Sequence, residues 1–96
     1  MSAPPVSTDN PLSVAQDFGD NLRQARLARE FTQAEVARRM VELGHRTWRR
    51  DTVGQVESAT RSVRLDEAIA LCIATGHTLK QLLPAWAVMV GGLDSA

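Results

Sequence analysis

Three of the four prolines fall in the first dozen residues, and the fourth is Pro84. From about Val14 to Pro84 the chain has no proline, no Val-Ile alternation, and many Ala, Leu, Arg and Glu. Such a stretch suits helices, whose interiors exclude proline and favour these residues. It predicts an all-α fold over residues 13–84. With 96 residues in total, the chain has room for one domain and one core. Residues 1–12, rich in Pro, Ser, Thr, Asp and Asn, are expected to be a disordered N-terminal arm. Residues 85–96 are expected to be a short apolar C-terminal tail, broken by Gly91-Gly92.

Local signals divide the middle into five helices. Phe18, Leu22, Ala25 and Arg29 lie on one helical stripe, with Leu27 and Phe31 nearby, which places a first helix at about 14–29. Thr32-Gln33-Ala34-Glu35 fits a reciprocal capping box and opens a second helix, with Val36, Ala37, Met40 and Val41 as its buried stripe and Gly44 as its stop. A third helix should cover about 48–58, with Val53 and Val56 inward. Leu65, Ala68, Ile69, Leu71, Cys72 and Ile73 mark a fourth, ended by Gly76. Thr78-Leu79-Lys80-Gln81 repeats the capping-box pattern and opens a short fifth helix that Pro84 terminates.

The net charge of zero hides a division. Residues 20–65 carry ten arginines against six carboxylates, a balance of +4, and the remainder of the chain carries −4. A basic face on a small helical domain suits a polyanion, and it equally suits a salt-bridged, solvated surface. Arginine outnumbers lysine ten to one. The guanidinium fork fits phosphates and guanine edges, although GC-rich codon usage accounts for most of such a ratio. One cysteine makes neither an internal disulfide nor a multi-cysteine metal site. No apolar run reaches the ~20 residues of a membrane span, and no signal peptide is visible, so a cytoplasmic setting is expected. No cofactor is expected.

The order of the motifs carries more than any one of them. Leu22-Arg23-Gln24-Ala25-Arg26 is followed by Thr32-Gln33-Ala34-Glu35-Val36-Ala37, then by Thr52-Val53-Gly54-Gln55-Val56-Glu57-Ser58 and Arg61. Leu65-Asp66-Glu67-Ala68 and Gly76-His77-Thr78-Leu79-Lys80-Gln81-Leu82-Leu83 complete the series. In these stretches, spanning roughly 18–84, the chain resembles the Cro/C1-type helix-turn-helix proteins, or XRE family. The resemblance implies a compact five-helix lambda-repressor-like DNA-binding domain. It also implies sequence-specific binding of double-stranded DNA by a transcriptional regulator, usually a repressor.

In such a fold the second and third helices form the helix-turn-helix, and the start of the third meets base edges in the major groove. The implied base contacts are Arg49, Arg50, Asp51, Thr52 and Gln55. Arg can donate bidentately to guanine and Gln to adenine. Asp51 either accepts from cytosine or orients a neighbouring Arg. Gln33 opens the second helix, where amides and the macrodipole favour a phosphate, and the family uses that glutamine on the DNA backbone. Arg38, Thr60, Arg61 and Ser62 complete the implied phosphate contacts.

Two features depart from the family. The interval from Val36 to Val53 is about half a dozen residues longer than usual, with the insertion near Val41–Arg46. An extra turn of the second helix and a longer connection are expected, so that either Thr47 or Arg49 starts the recognition helix. The other departure is Gly54 inside that helix, where its small size would serve either close packing or close approach to DNA. Trp48 is read as a core or staple residue rather than a base-stacking one. His45 and His77 are read as turn residues, and Cys72 as a small hydrophobe. Arg23, Arg26 and Arg29 are read as solvated or phosphate-facing, with Arg38 and Arg39 ambiguous in the same way.

No catalytic constellation is visible, and an enzyme is not expected. Trp86, Val88, Met89 and Val90 in the tail, with the fifth helix, are expected to form a homodimer interface. The alternative is a protein-interaction module, an antitoxin or adaptor, that meets a protein partner through the same tail.

Overall fold

In the computed structural model, residues 11–84 are described. They form α1 (Pro11–Ala28), α2 (Gln33–Glu42), α3 (Arg50–Glu57), α4 (Leu65–Thr75) and α5 (Leu79–Leu82). The fold is all-α, and the described residues include no strand. Residues 1–10 of the expected arm, and the tail with Trp86, Val88, Met89 and Val90, lie outside the described residues. Pro11 and Leu12, assigned to the arm from sequence, belong to α1 instead. Proline is tolerated there because the first turn of a helix has no partner for its amides and needs the φ that the ring already fixes.

One core unites the helices. Leu22, Val36, Met40, Val53 and Leu71 are fully buried, with Val56 and Leu82 nearly so. α1 contributes Phe18, Leu22 and Ala25 on the predicted stripe. Gly19, on the same face, lets α1 approach the end of α3. A Cβ there would lie 2.6 Å from the carbonyl oxygens of both Val56 and Glu57. Asn21 Nδ2 ties α1 to the end of α5 by donating to the Leu82 carbonyl at 3.0 Å.

Both predicted capping boxes are present. The Glu35 amide donates to Thr32 Oγ1 at 3.0 Å, and the Thr32 amide donates to Glu35 Oε1 at 2.9 Å. The Gln81 amide and Thr78 repeat the arrangement, at 3.1 Å to Thr78 Oγ1 and 2.8 Å back to Gln81 Oε1. Each box satisfies two amides that a helix start leaves unpaired, and the hydroxyl cap contributes about 1 kcal/mol.

One sequence assignment needs correction. Val41 was placed in the buried stripe of α2 but is 40% exposed. It stands ~140° round the helix from Val36 at 100° per residue, at the edge of the core-facing arc. Leu27, read as lying near the α1 stripe and not on it, is exposed. Leu65, Ile69 and Ile73, which helped to mark α4 in the sequence, are 71%, 48% and 62% exposed. α4 is apolar nearly all round, so spacing alone does not select its inner face. Ala68, Leu71, Cys72 and Ala74 line that face, and the row 65–69–73, three residues at a spacing of four, faces out. Cys72 is buried as read, and desolvation raises the pKa of its thiol.

Candidate nucleic-acid interface

The insertion shapes the connection between α2 and α3. α2 runs to Glu42, and the chain leaves it through Gly44 at φ +103°, a conformation that favours glycine. The His45 amide donates back to the Met40 carbonyl at 2.9 Å and closes the helix end. The Trp48 amide then donates to the His45 carbonyl at 3.2 Å, which places Arg46 and Thr47 at the exposed tip of a tight turn. α3 therefore begins at Arg50, not at 48, with Arg49 as its N-cap and its end at Glu57. The cap is closed from inside the helix: Thr52 Oγ1 accepts from the Arg49 amide at 3.1 Å.

Trp48 precedes the helix as its anchor and is 4% exposed, in agreement with the core reading. Its indole N–H donates to Glu67 Oε2 at 3.3 Å. The same carboxylate accepts from Arg61 Nη2 at 3.0 Å, from Arg61 Nη1 at 3.2 Å and from the Arg64 amide at 2.9 Å. Glu67 is 2% exposed, a burial that a carboxylate tolerates only when ionised oxygens are this fully satisfied. The Arg61 hydrogen bonds, ahead of the Arg64 amide, hold its pKa down to about 2. The Arg61 guanidinium also sits over the Trp48 ring, 5.0 Å from its centroid. The start of α3, the 58–64 loop and the start of α4 are thereby joined.

A second polar cluster fixes the other end of α3. Arg26 Nε donates to Glu57 Oε2 at 2.7 Å and Arg26 Nη2 to Glu57 Oε1 at 3.1 Å. Arg26 Nη1 meets the Phe31 carbonyl at 2.9 Å, and Gln33 Nε2 donates to Glu57 Oε1 at 3.1 Å. Arg26 and Glu57 are 11% and 5% exposed in their side chains. One carboxylate on α3 thus holds α1 and the start of α2. The Gln33 amide lies against Gly54, where a Cβ would stand 3.5 Å away in ordinary contact. Gly54 packs against Gln33 at a distance that does not itself require a glycine.

The sequence reading of the α1 arginines needs correction here. Arg26 is buried in the cluster just described. Arg29 crosses to the end of α4, donating to the Thr75 carbonyl at 3.2 Å and the Gly76 carbonyl at 3.3 Å, where the last carbonyls of a helix lack partners. Only Arg23 of the three is exposed without such a commitment. Arg39 stacks over the Phe31 ring at 4.3 Å. Sequence spacing carried no signal for Arg26 with Glu57, 31 residues apart, or for Glu67 as the hub beneath Trp48.

The candidate site residues fall into two sets. Arg49, Arg50, Asp51 and Gln55 are exposed on α3, while Val53 and Val56 face the core. Asp51 Oδ1 lies 3.5 Å from Arg50 Nε, a solvent-exposed pairing that orients the arginine more than it stabilises the fold. Thr52 is half-buried, its hydroxyl engaged in the cap. Flanking α3, Arg38, Thr60 and Ser62 are exposed, and Gln33 and Arg61 are half-buried. Thr60 Oγ1 is within 3.0 Å of Ser58 Oγ, which ties the loop to the end of α3. The His77 ring contacts its own turn through Nδ1 and the Thr75 carbonyl at 2.8 Å, and His45 meets the edge of Trp48 at 6.4 Å between centroids. No helix among the described residues is long and apolar enough to cross a membrane.

This five-helix arrangement, with α2 and α3 joined as a helix-turn-helix, is the fold implied by the Cro/C1-type resemblance. Solved structures share it. The restriction-modification controller protein C.AhdI from Aeromonas hydrophila is 28% identical over 71% of this chain and 94% of its own, with a TM-score of 0.61. The DNA-binding domain of BldD is 24% identical over 78% of this chain and all of its own, at 0.64. A hypothetical transcription factor, NHTF, from Neisseria is 21% identical over 92% and 97%, at 0.65. No family model and no curated protein matches the sequence.

Proposed function

We propose that this protein is a sequence-specific DNA-binding transcriptional regulator, a repressor, that reads the major groove with α3. One observation carries the reading: α3 is clamped at both ends by buried carboxylates while its outer face, with Arg49, Arg50, Asp51 and Gln55, is left to solvent. A rigid helix edged with bidentate donors is what base readout requires. Likeness to a controller protein and to a DNA-binding domain supports it. Thr52 contributes at the helix start. Gln33, Arg38, Thr60, Arg61 and Ser62 contact backbone phosphates on either side. Arg61 uses three of its five N–H groups internally and retains two for a phosphate.

The protein acts in the cytoplasm as a homodimer on two half-sites, with the exposed α4 residues Ile69 and Ile73 and the tail residues Val88, Met89 and Val90 supplying the apolar contact. Fluorescence anisotropy with labelled duplex at two salt concentrations tests DNA binding. Affinity should fall steeply as salt rises, because phosphate contacts release counterions. Absent or salt-independent binding would overturn the reading.

A further inference from the structure

A groove of about 590 Å³ opens between α1, the 61–65 stretch and α5, with Arg61 and Ser62, both proposed above for phosphate, among its lining residues. Val14 and Phe18 of α1, Val63, Leu65 of α4, Leu79 and Leu83 form its walls. An open apolar trough of this size on so small a domain leaves uncompensated surface in water. Leu83 belongs to the wall, and the described residues end one position later at Pro84. The chain thus leaves the domain from the rim of the groove itself.

Twelve residues follow. The first six, Ala85-Trp86-Ala87-Val88-Met89-Val90, are all apolar, and the first charge is Asp94. Trp86 is three residues past Leu83, within ~10 Å of it along the chain. A tether this short holds the indole at millimolar effective concentration, above that of a second copy in dilute solution. An indole buries ~150–250 Å² of surface, which an apolar groove of this size can cover.

We propose that the groove is the seat of the chain's own C-terminal segment, with Trp86 as its anchor. The segment closes the trough between α1 and α4 and secures α5, which is only four residues long. Trp86 then turns inward on its own subunit, and Val88, Met89 and Val90 are left to the subunit contact. This does not rest on DNA binding.

The test is acrylamide quenching of the Trp86 fluorescence, taken as the difference between the wild type and Trp86→Phe, over a dilution series whose oligomeric state is followed by sedimentation. The Trp86 component should be quenched several-fold less than free tryptophan and should stay protected in the monomer. Val14→Glu, at the groove wall, should raise its quenching several-fold with helicity unchanged. Removal of residues 85–96 should shift the methyl resonances of Val63, Leu65 and Leu79, an independent reading should Val14→Glu not fold. Free quenching of Trp86, protection lost on dilution to monomer (which would give the groove to a second copy), indifference to a folded Val14→Glu, or unmoved methyl resonances would each overturn the proposal.

Discussion

The Arg26 guanidinium grips the Glu57 carboxylate through two hydrogen bonds, the shorter at 2.7 Å, and so joins the first helix to the last turn of the third. Gln33 shares that carboxylate at 3.1 Å, so a residue proposed to contact DNA phosphate also positions α3. Breaking one side of a buried pair leaves the other charge stranded. Arg26→Leu or Glu57→Leu alone should therefore cost about 3–5 kcal/mol in urea unfolding, and the double variant should recover much of the loss.

Acid should loosen the Trp48 end first. Glu67 has a folded pKa of about 2, below its ordinary value near 4.5. A depressed carboxylate stabilises the fold fully above the unfolded pKa, and that stability is lost as pH falls from about 5 towards 2. The contribution is on the order of 3 kcal/mol. Glu67→Gln should flatten the pH dependence of unfolding over that window, read through Trp48 fluorescence, and should lower stability at pH 7. An unchanged acid limb would remove Glu67 from this role.

Two glycines should respond in opposite directions. Gly19→Ala drives a methyl into the Val56 and Glu57 carbonyls at 2.6 Å and should destabilise by about 1–3 kcal/mol as α1 and α3 are forced apart. Gly54→Ala meets only the Gln33 amide at 3.5 Å, and helix propensity should then stabilise by up to about 1 kcal/mol. Thermal unfolding of the two variants checks both signs.

Base and phosphate contacts should separate in binding. Gln33→Ala should weaken binding to every duplex alike, because a backbone contact carries no base information. Arg38→Ala should do the same and reduce the salt slope by about one unit. Either loss confined to one sequence, measured by anisotropy across a panel of duplexes, would move that residue to the base-reading set.

Much of this organisation is legible in the sequence. The Thr32 and Thr78 capping boxes are local, three-residue signals, and both formed where they were read. Gly44 and Gly76 stopped their helices in positive-φ conformations. What escaped was non-local. Arg26 looks like a surface cation in sequence because its partner lies 31 residues away. The start of α3 was displaced because Trp48 is fixed by Glu67, 19 residues on, and not by helical pairing. On α4, apolar residues on every side hid which row would face outward.

The most direct test of base reading by α3 is selection of bound sequences from a random duplex pool, carried out in parallel with the wild type and Arg50→Ala. The wild type should return a symmetric motif with half-sites one helical turn apart. Arg50→Ala should return the same motif with one position per half-site relaxed, at a cost of about 1–3 kcal/mol there. No enriched motif from the wild type, or an identical motif from both proteins, would contradict the assignment.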